Sequence, residues 1–360
     1  MAVIGCGRIA GHHCRRVSDV AGAKVVAVCD LVADKAAALG KEVGVPSFTS
    51  YHEMLRDHPD INVVVIATPS GMHAEHAQEI LKRYRRNVVV EKPTFMRPSE
   101  LTQTFALADS LGLHVFPVFQ NRHNRAVRRV RQAIVDGELG AIRIITVRVR
   151  WCRPQRYYDL APWRGTFAQD GGALTNQGIH HVDLLRYLGG EVDRVSTTMR
   201  TFGAKIEVED AAVATMTYKS GAVGALEVTT AARPDDFEAS LSLVCENGLA
   251  QLGGIAVNEL QIFTPSPSAC AEFSEDFSRN VYGSGHTAMY AEIVSFFERG
   301  VPFSVSRDDC ARTIGLLHAF YRSDEAGGWV DVVGGESTRL GKPDPELSKL
   351  YRTPSPRDAG

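Results

Sequence analysis

Two ionisable side chains of this 360-residue sequence sit where proton transfer can be carried out. Lys92 lies in Glu91-Lys92-Pro93, directly after the apolar residues 88–90, and His180 lies in the segment 170–190, DGGALTNQGIHHVDLLRYLGG. A lysine at the carboxyl end of a parallel strand points into the crevice where open α/β sheets bind ligands. Pro93 would hold Lys92 extended. An imidazole titrates near neutral pH and can take or return a hydroxyl proton. Asn176 stands four residues before His180, a spacing that sets both on one helix face. Asp183, three residues beyond, either orients the imidazole or pairs elsewhere. Taken singly, each has a plainer reading, since strand-end lysines are mostly solvated and helical histidines mostly structural. The plain reading is kept for His12, His13, His73, His76 and His181. His73 and His76 have i,i+3 spacing but no third ligand nearby in sequence, so no metal site is expected.

Residues 5–10 read Gly-Cys-Gly-Arg-Ile-Ala, a GxGxxA pattern. Alone it is weak evidence. Here it follows an apolar strand, opens a helix, and precedes a second strand that ends in Asp30. Gly5 permits the tight turn, Gly7 lets the backbone approach a pyrophosphate, and Ala10 allows close helix–strand packing. The helix start, with Arg8 and Ile9, offers unpaired N–H groups and a positive dipole end to the phosphates. Asp30 lies 23 residues past Gly7, near the usual spacing for the acid that binds the ribose hydroxyls. A carboxylate there repels a 2′-phosphate, and no arginine follows it at once, so NAD is favoured over NADP. Residues 1–4 make a short first strand, where about five or six residues are usual. The native start is therefore expected upstream of Met1.

The elements that must position these groups are legible in outline. Strands are expected at 1–4, 24–30, 61–67, 87–90 and 114–119, with helices near 8–20, 33–43, 71–83 and 98–111. Residues 61–67, INVVVIA, are almost continuously apolar, as in a strand covered on both faces. Alternation of this kind predicts a doubly wound parallel Rossmann domain over 1–120. A basic helix follows at 122–137. In 141–151 Ile145, Val147, Val149 and Trp151 alternate with Thr146, Arg148 and Arg150, a strand with one apolar and one polar face. β-rich runs between 192 and 263, separated by turn signals at 219–221 and 246–248, suggest antiparallel hairpins. Helical patterns at 286–299 and 307–322 close the domain. The expected fold class is thus α/β, with an N-terminal Rossmann sheet and a C-terminal α+β domain over 121–335. That second domain carries a large, mostly antiparallel, open-faced sheet. Residues 336–360, with Pro343, Pro345, Pro354 and Pro356, read as a surface strap or a disordered tail.

Composition excludes several classes. Hydrophobic residues make 44% and charged residues 23%, and the net charge is −2, an ordinary globular balance rather than that of a nucleic-acid or membrane-surface binder. No apolar run nears the roughly 18 residues of a membrane span, and no secretory pattern opens the chain. The seven cysteines are odd in number and form no CxxC, so reduced thiols and a cytoplasmic location are expected.

Taken together, the GCGRIA loop, Ala67-Thr68-Pro69, Glu91-Lys92-Pro93 and Gly171-Gly172…His180…Asp183 resemble the Gfo/Idh/MocA sugar and polyol oxidoreductases. The resemblance implies that Lys92 and His180 flank the nicotinamide and the reacting hydroxyl, either being the formal base. It groups Thr68, Pro69, His73, Glu91 and Lys92 with the cofactor loop. Where the family often has an aspartate this chain has Asn176, which cannot titrate. The open sheet of the family packs on another subunit, which implies a homodimer or homotetramer. Segments 120–124 and 149–166, with 176–180, resemble a subgroup that oxidises UDP-N-acetylglucosaminuronate at C3 for surface-polysaccharide sugars. In that subgroup NAD stays bound and is recycled by 2-oxoglutarate. The substrate-binding residues so implied are Gln120, Arg122, Arg153, Gln155, Tyr157, Tyr158, Trp163, Arg164, Asn176 and His180.

Charge points the same way. Arg148, Arg150, Arg153, Arg156 and Arg164 stand against one acid, Asp159, in 148–164. Guanidiniums in that number suit a pyrophosphate and a uronate carboxylate, and Trp151, Tyr157, Tyr158 and Trp163 can stack on a base or sugar. The plainer reading of Arg148 and Arg150 is a solvated or subunit-facing strand face. Other readings stay open: a reductase or dehydrogenase acting on another nucleotide sugar or on inositol, a non-catalytic sugar or nucleotide sensor, and a Rossmann protein without cofactor.

Overall fold

The computed structural model describes residues 1–277 and 282–354. The chain forms two compact units. The first holds Met1–Val118, residues 286–311 and residues 343–354. The second holds the described part of 119–285 together with Arg312–Lys342.

The first unit is a six-stranded, all-parallel sheet. Its strands are β1 (Ala2–Ile4), β2 (Ala27–Cys29), β3 (Ser47–Phe48), β4 (Val63–Ile66), β5 (Asn87–Val90) and β6 (Val115–Pro117), in the order β3-β2-β1-β4-β5-β6. The strand order reverses beside β1, the switch point at which such sheets bind ligands. β4 is buried on both faces, as its continuous apolarity requires. β3, a two-residue edge strand, and the helix Tyr51–Asp57 are additions to the expected elements. The helix Gly285–Arg299 departs from the expected second domain. Its Met289, Tyr290 and Ile293 are wholly buried in one core with Val3, Ala10, Cys14, Val28 and Val65.

The second unit is built on an eight-stranded sheet. Its strands are β7 (Ile142–Arg150), β8 (Val192–Arg200), β9 (Ala211–Tyr218), β10 (Val223–Thr229), β11 (Glu238–Cys245), β12 (Leu249–Gly253), β13 (Glu259–Phe263) and β14 (Val330–Asp331). The order is β13-β12-β11-β7-β10-β9-β8-β14, antiparallel throughout except for the parallel pair β7 and β10. Ile145, Val147 and Val149 of β7 are 0% exposed, while Ile144 and Arg148 on the opposite face are exposed. The period-2 pattern thus assigns the faces as read from the sequence. The helix Ile179–Gly189 packs on the inner face against β7.

The approach to that helix differs from expectation. The helix expected around His180 is present, but its lead-in is not regular α-helix. A five-residue π-turn, Ala173–Gln177, comes first, and the α-helix starts only at Ile179. Gly172 explains the turn: a Cβ there would lie 2.0 Å from the Glu209 carboxylate. Asn176 and His180 therefore stand on different elements, and the i,i+4 stacking read from their spacing is replaced by separate partners. Of the expected tail, residues 345–349 are a short helix, and Pro356 lies outside the described residues.

Candidate active site

The nucleotide loop follows β1 directly. Gly5 has φ +87°, and a Cβ there would stand 2.5 Å from the carbonyl oxygen of Ala67. Only glycine lets β1 and the β4 loop approach so closely. Gly7 and Arg8 are exposed, Ile9 is half-buried, and Ala10 is 0% exposed against the sheet. No side chain caps the helix Ala10–Ser18, and its first turn carries no acid. The positive end of that helix is thus left for an anion. One oxygen of Asp30 accepts the Cys6 N–H at 2.7 Å and the other accepts the Val32 N–H at 2.8 Å. The half-buried carboxylate is therefore fixed against the loop. Burial, with Asp30 beside it, pushes the Cys6 thiol up to about 12, so the loop offers no thiolate to repel a phosphate. These residues fit a dinucleotide, with the pyrophosphate at the loop and the ribose hydroxyls at Asp30.

Lys92 is half-buried at the end of β5, ahead of a cis Lys92–Pro93 peptide. Its backbone N–H donates to Glu91 Oε2 at 2.9 Å. Glu91 itself is 6% exposed, and its other oxygen lies 2.9 Å from His13 Nε2. His73 is 1% exposed, with Nδ1 2.9 Å from the Pro93 carbonyl and Nε2 3.0 Å from that of Thr68. Both residues, grouped with the cofactor loop on resemblance, are thus interior ties that hold the strand-end loops together. Thr68 Oγ1 meets His76 Nδ1 at 3.0 Å, and Pro69, half-buried, opens a short 3-10 turn.

In the second unit His180 is half-buried, and its Nε2 stands 3.1 Å from the Gln120 amide nitrogen. With the amide donating, that nitrogen carries the ring's lone pair. Gln120 is 7% exposed and its Oε1 is buried without a protein partner. Asn176 donates to Asp170 and accepts from Gln177. Gln177, not singled out from sequence, is the connector: it reaches the Tyr157 hydroxyl at 3.3 Å and receives Arg153 Nη2 at 3.1 Å. Arg153 also donates to Asp236 at 2.8 Å. The Arg164 guanidinium lies 4.4 Å from the Tyr157 ring centre and 4.5 Å from that of Trp163. Arg153, Arg164, Tyr157 and Trp163 thus form a cationic and aromatic shelf, joined through Gln177 to the turn that carries Asn176.

Three expected substrate residues are turned inward or sideways. Arg122 is 4% exposed and forms a bidentate pair with Asp183, Nε to Oδ2 at 2.7 Å and Nη2 to Oδ1 at 2.6 Å. Asp183 also accepts Thr313 Oγ1 at 2.8 Å, so of its two expected roles it takes pairing elsewhere over orienting His180. Tyr158 is buried with its hydroxyl 3.0 Å from Thr230 Oγ1. Gln155 ties Asp159 and the backbone of Lys205. Arg150 is on the outer sheet face between Glu227 and Glu238, and Arg148 is exposed beside it. Glu209 had no signal in the sequence. Its Oε1 holds the Leu174 N–H at 3.1 Å and the Tyr321 hydroxyl at 2.9 Å, and burial pushes its carboxyl up to about 7.

Residues 1–119 match the oxidoreductase-family, NAD-binding Rossmann fold, and residues 127–251 match the GFO/IDH/MocA C-terminal domain. The WlbA dehydrogenase of Bordetella pertussis, solved with NADH and UDP-GlcNAcA, superposes with a TM-score of 0.83 at 33% identity over 92% of this chain and 96% of that one. The chain belongs to the Gfo/Idh/MocA family of oxidoreductases. The WlbA dehydrogenase of Chromobacterium violaceum, also solved with NADH and UDP-GlcNAcA, gives the same TM-score and identity over 92% and 94% of the two chains. Among curated sequences, myo-inositol 2-dehydrogenase of Thermotoga maritima is 24% identical over 234 residues, 63% of this chain and 67% of that protein. The chain spans about half to two thirds of the length of the curated relatives it matches, 65% of Bacillus subtilis YrbE for example. The Rossmann domain binds NAD(H), in line with its match to the NAD-binding fold and with the NADH held by both WlbA structures. No helix among the described residues is long and apolar enough to cross a membrane.

Proposed function

We propose that this Gfo/Idh/MocA protein oxidises the C3 hydroxyl of UDP-N-acetylglucosaminuronate to a ketone. The observation that carries this reading is the shelf of Arg153 and Arg164 around Tyr157, tied through Gln177 to the Asn176 turn. Guanidiniums held in fixed positions on aromatic rings suit phosphate and carboxylate oxygens, whereas a neutral polyol offers them hydrogen-bond acceptors but no charge to pair with. Likeness to two structures that hold UDP-GlcNAcA supports the same choice. NAD, when bound, supplies the acceptor for the hydride that leaves C3. The adenosine ribose is assigned to Asp30 and the pyrophosphate to the backbone of Gly5 to Ala10. His180 takes the hydroxyl proton at Nε2, where the substrate oxygen replaces the Gln120 amide. Lys92 donates to the same oxygen and stabilises its developing negative charge.

If the shelf binds anionic groups, Arg164→Met should weaken the uronate more than the neutral sugar. A fold-matched calorimetric titration of the NADH-loaded protein should show a loss of about tenfold or more for UDP-N-acetylglucosaminuronate, the size of one charge-assisted hydrogen bond. Equal losses for it and for UDP-N-acetylglucosamine would move Arg164 to the diphosphate, and no loss for either would remove the shelf from the substrate site.

The outer sheet face supports a homo-oligomer, dimer or tetramer. Val223 on β10, Ile144 on β7, Val244 on β11 and Leu249 on β12 are consecutive register partners, between 40% and 49% exposed. Such a row is more than a scattering of surface apolar residues. Light scattering should give a multiple of 39.3 kDa; the mass of one chain at micromolar concentration would contradict this.

A further inference from the structure

A second polar cluster lies wholly inside the Rossmann unit, and no step proposed above uses it. It joins three elements. The helix Ala10–Ser18 contributes His12 and His13, the end of β5 contributes Glu91, and residues 286–299 contribute His286 and Tyr290. The four histidine and tyrosine side chains are 0–1% exposed. Tyr290 Oη lies 2.7 Å from His13 Nδ1, His13 Nε2 lies 2.9 Å from Glu91 Oε1, and Glu91 Oε2 accepts the Lys92 N–H at 2.9 Å. His286 Nε2 stands 3.8 Å from the same Oε1, with its ring edge-on to those of His12 and His13.

A buried carboxylate is expensive unless donors saturate it. Burial by itself would raise the Glu91 carboxyl, but the imidazoles of His13 and His286 outweigh it and hold it well below the usual carboxylate range. Burial also keeps the Tyr290 phenol protonated, and it pushes His12 down to about 3, with His286 and His13 adding to the fall. One proton arrangement satisfies all three contacts. Tyr290 donates to His13 Nδ1, His13 Nε2–H donates to Glu91, and the Lys92 backbone donates to the other oxygen of Glu91. His13 sits one turn inside the helix whose start forms the nucleotide loop. A single relay of hydrogen bonds thus runs from that helix to the backbone of Lys92.

We propose that Glu91, braced by His13 and Tyr290, is a positioning residue for Lys92 that fixes the lysine relative to the nucleotide loop. This rests on the reading of Lys92 as the group that meets the reacting hydroxyl. A buried metal is the competing use of the same atoms, since donors of His13, Glu91 and His286 lie within 4.8 Å of one another. The 2.9 Å separation of His13 and Glu91 favours a hydrogen bond, because two ligands of one tetrahedral zinc would stand about 3.3 Å apart.

The test compares the full chain with Glu91→Ala, Glu91→Gln and Tyr290→Phe. Lys92 is labelled with acetic anhydride and followed by peptide mass spectrometry, with exposed Lys35 and Lys82 of the same sample as internal standards. NADH-binding stoichiometry counts folded chains, and turnover of the uronate is measured alongside. In Glu91→Ala the Lys92 labelling rate should change by about threefold or more against the standards. Its kcat should fall about 100-fold, the scale of a 1 Å misplacement, while KM for NAD stays within about threefold. Tyr290→Phe should move both readouts in the same direction by less. Glu91→Gln should be milder than alanine, because its amide can still accept from Lys92 and donate to His13 once the ring proton moves to Nδ1. Wild-type labelling in Glu91→Ala chains that still bind NADH one to one would overturn the proposal. If that variant does not fold, unchanged labelling and kcat in Tyr290→Phe would do so. Stoichiometric zinc in the purified protein would overturn it in favour of a metal site. Were the wild type not to turn over the uronate, the substrate reading would fail while the labelling still decided the role of Glu91.

Discussion

Replacing His180 with alanine is expected to lower kcat by about 10²–10⁴-fold, the usual worth of a positioned general base. The loss should appear equally in kcat and in kcat/KM, because the proton moves only in the transition state. NADH affinity should stay near the wild-type value, since the role proposed for His180 is toward the substrate hydroxyl. Lys92→Ala should lose a similar factor by removing the donor to the developing alkoxide. The double variant should lose far less than the product of the two, as expected of groups that act on one oxygen. Either single variant retaining turnover within tenfold of the wild type would remove that residue from the chemistry.

The second large effect is on stability. Arg122→Met leaves Asp183, 1% exposed, as a buried carboxylate whose bidentate partner is gone. Breaking one side of such a pair costs about 3–5 kcal/mol. The guanidinium also lies 4.5 Å from the Tyr187 ring centre, so packing is lost with the charge. At about 2–4 °C per kcal/mol for a unit of this size, Tm should fall by roughly 6–20 °C. Pairing Arg122→Met with Asp183→Leu removes the orphaned charge and should recover part of the loss, a coupling read directly from the double-mutant cycle. KM for the substrate should hardly change at a temperature where both proteins are folded. A stable Arg122→Met protein with a raised KM would return Arg122 to the substrate site.

Arg122 also shows where sequence reading stops. Its place beside the Gln120-Asn121 turn was legible, but its direction was not, because the carboxylate that captures it is 61 residues away. The Rossmann unit was legible because its signals are local: a glycine pattern after an apolar strand, continuous apolarity in β4, an acid at the right distance. β3 escaped because two edge residues carry no periodicity. The helix at 285–299 has an ordinary amphipathic pattern, which says that it packs but not on which unit. The π-turn at 173–177 was hidden for a related reason, since the Glu209 carboxylate that shapes it comes from a different stretch of chain. Likewise, His13 reads as one more helical histidine until Glu91 and Tyr290 are seen on its two nitrogens. Residues near each other in sequence announced the cofactor loop. The relay behind Lys92 and the Gln177 connector depend on long-range partners and needed the structure.

Oxidation of an anionic nucleotide sugar with NAD is the activity proposed for this protein. The most direct measurement is nicotinamide absorbance after mixing the purified protein and NAD with UDP-N-acetylglucosaminuronate, and separately with UDP-N-acetylglucosamine. Half of the samples contain 2-oxoglutarate, and the sugar product is analysed in all of them so that recycled NADH does not hide turnover. A 3-keto product from the uronate alone is the predicted result. Turnover of the neutral sugar as fast as the uronate, or no product from either while NAD still binds, would contradict it.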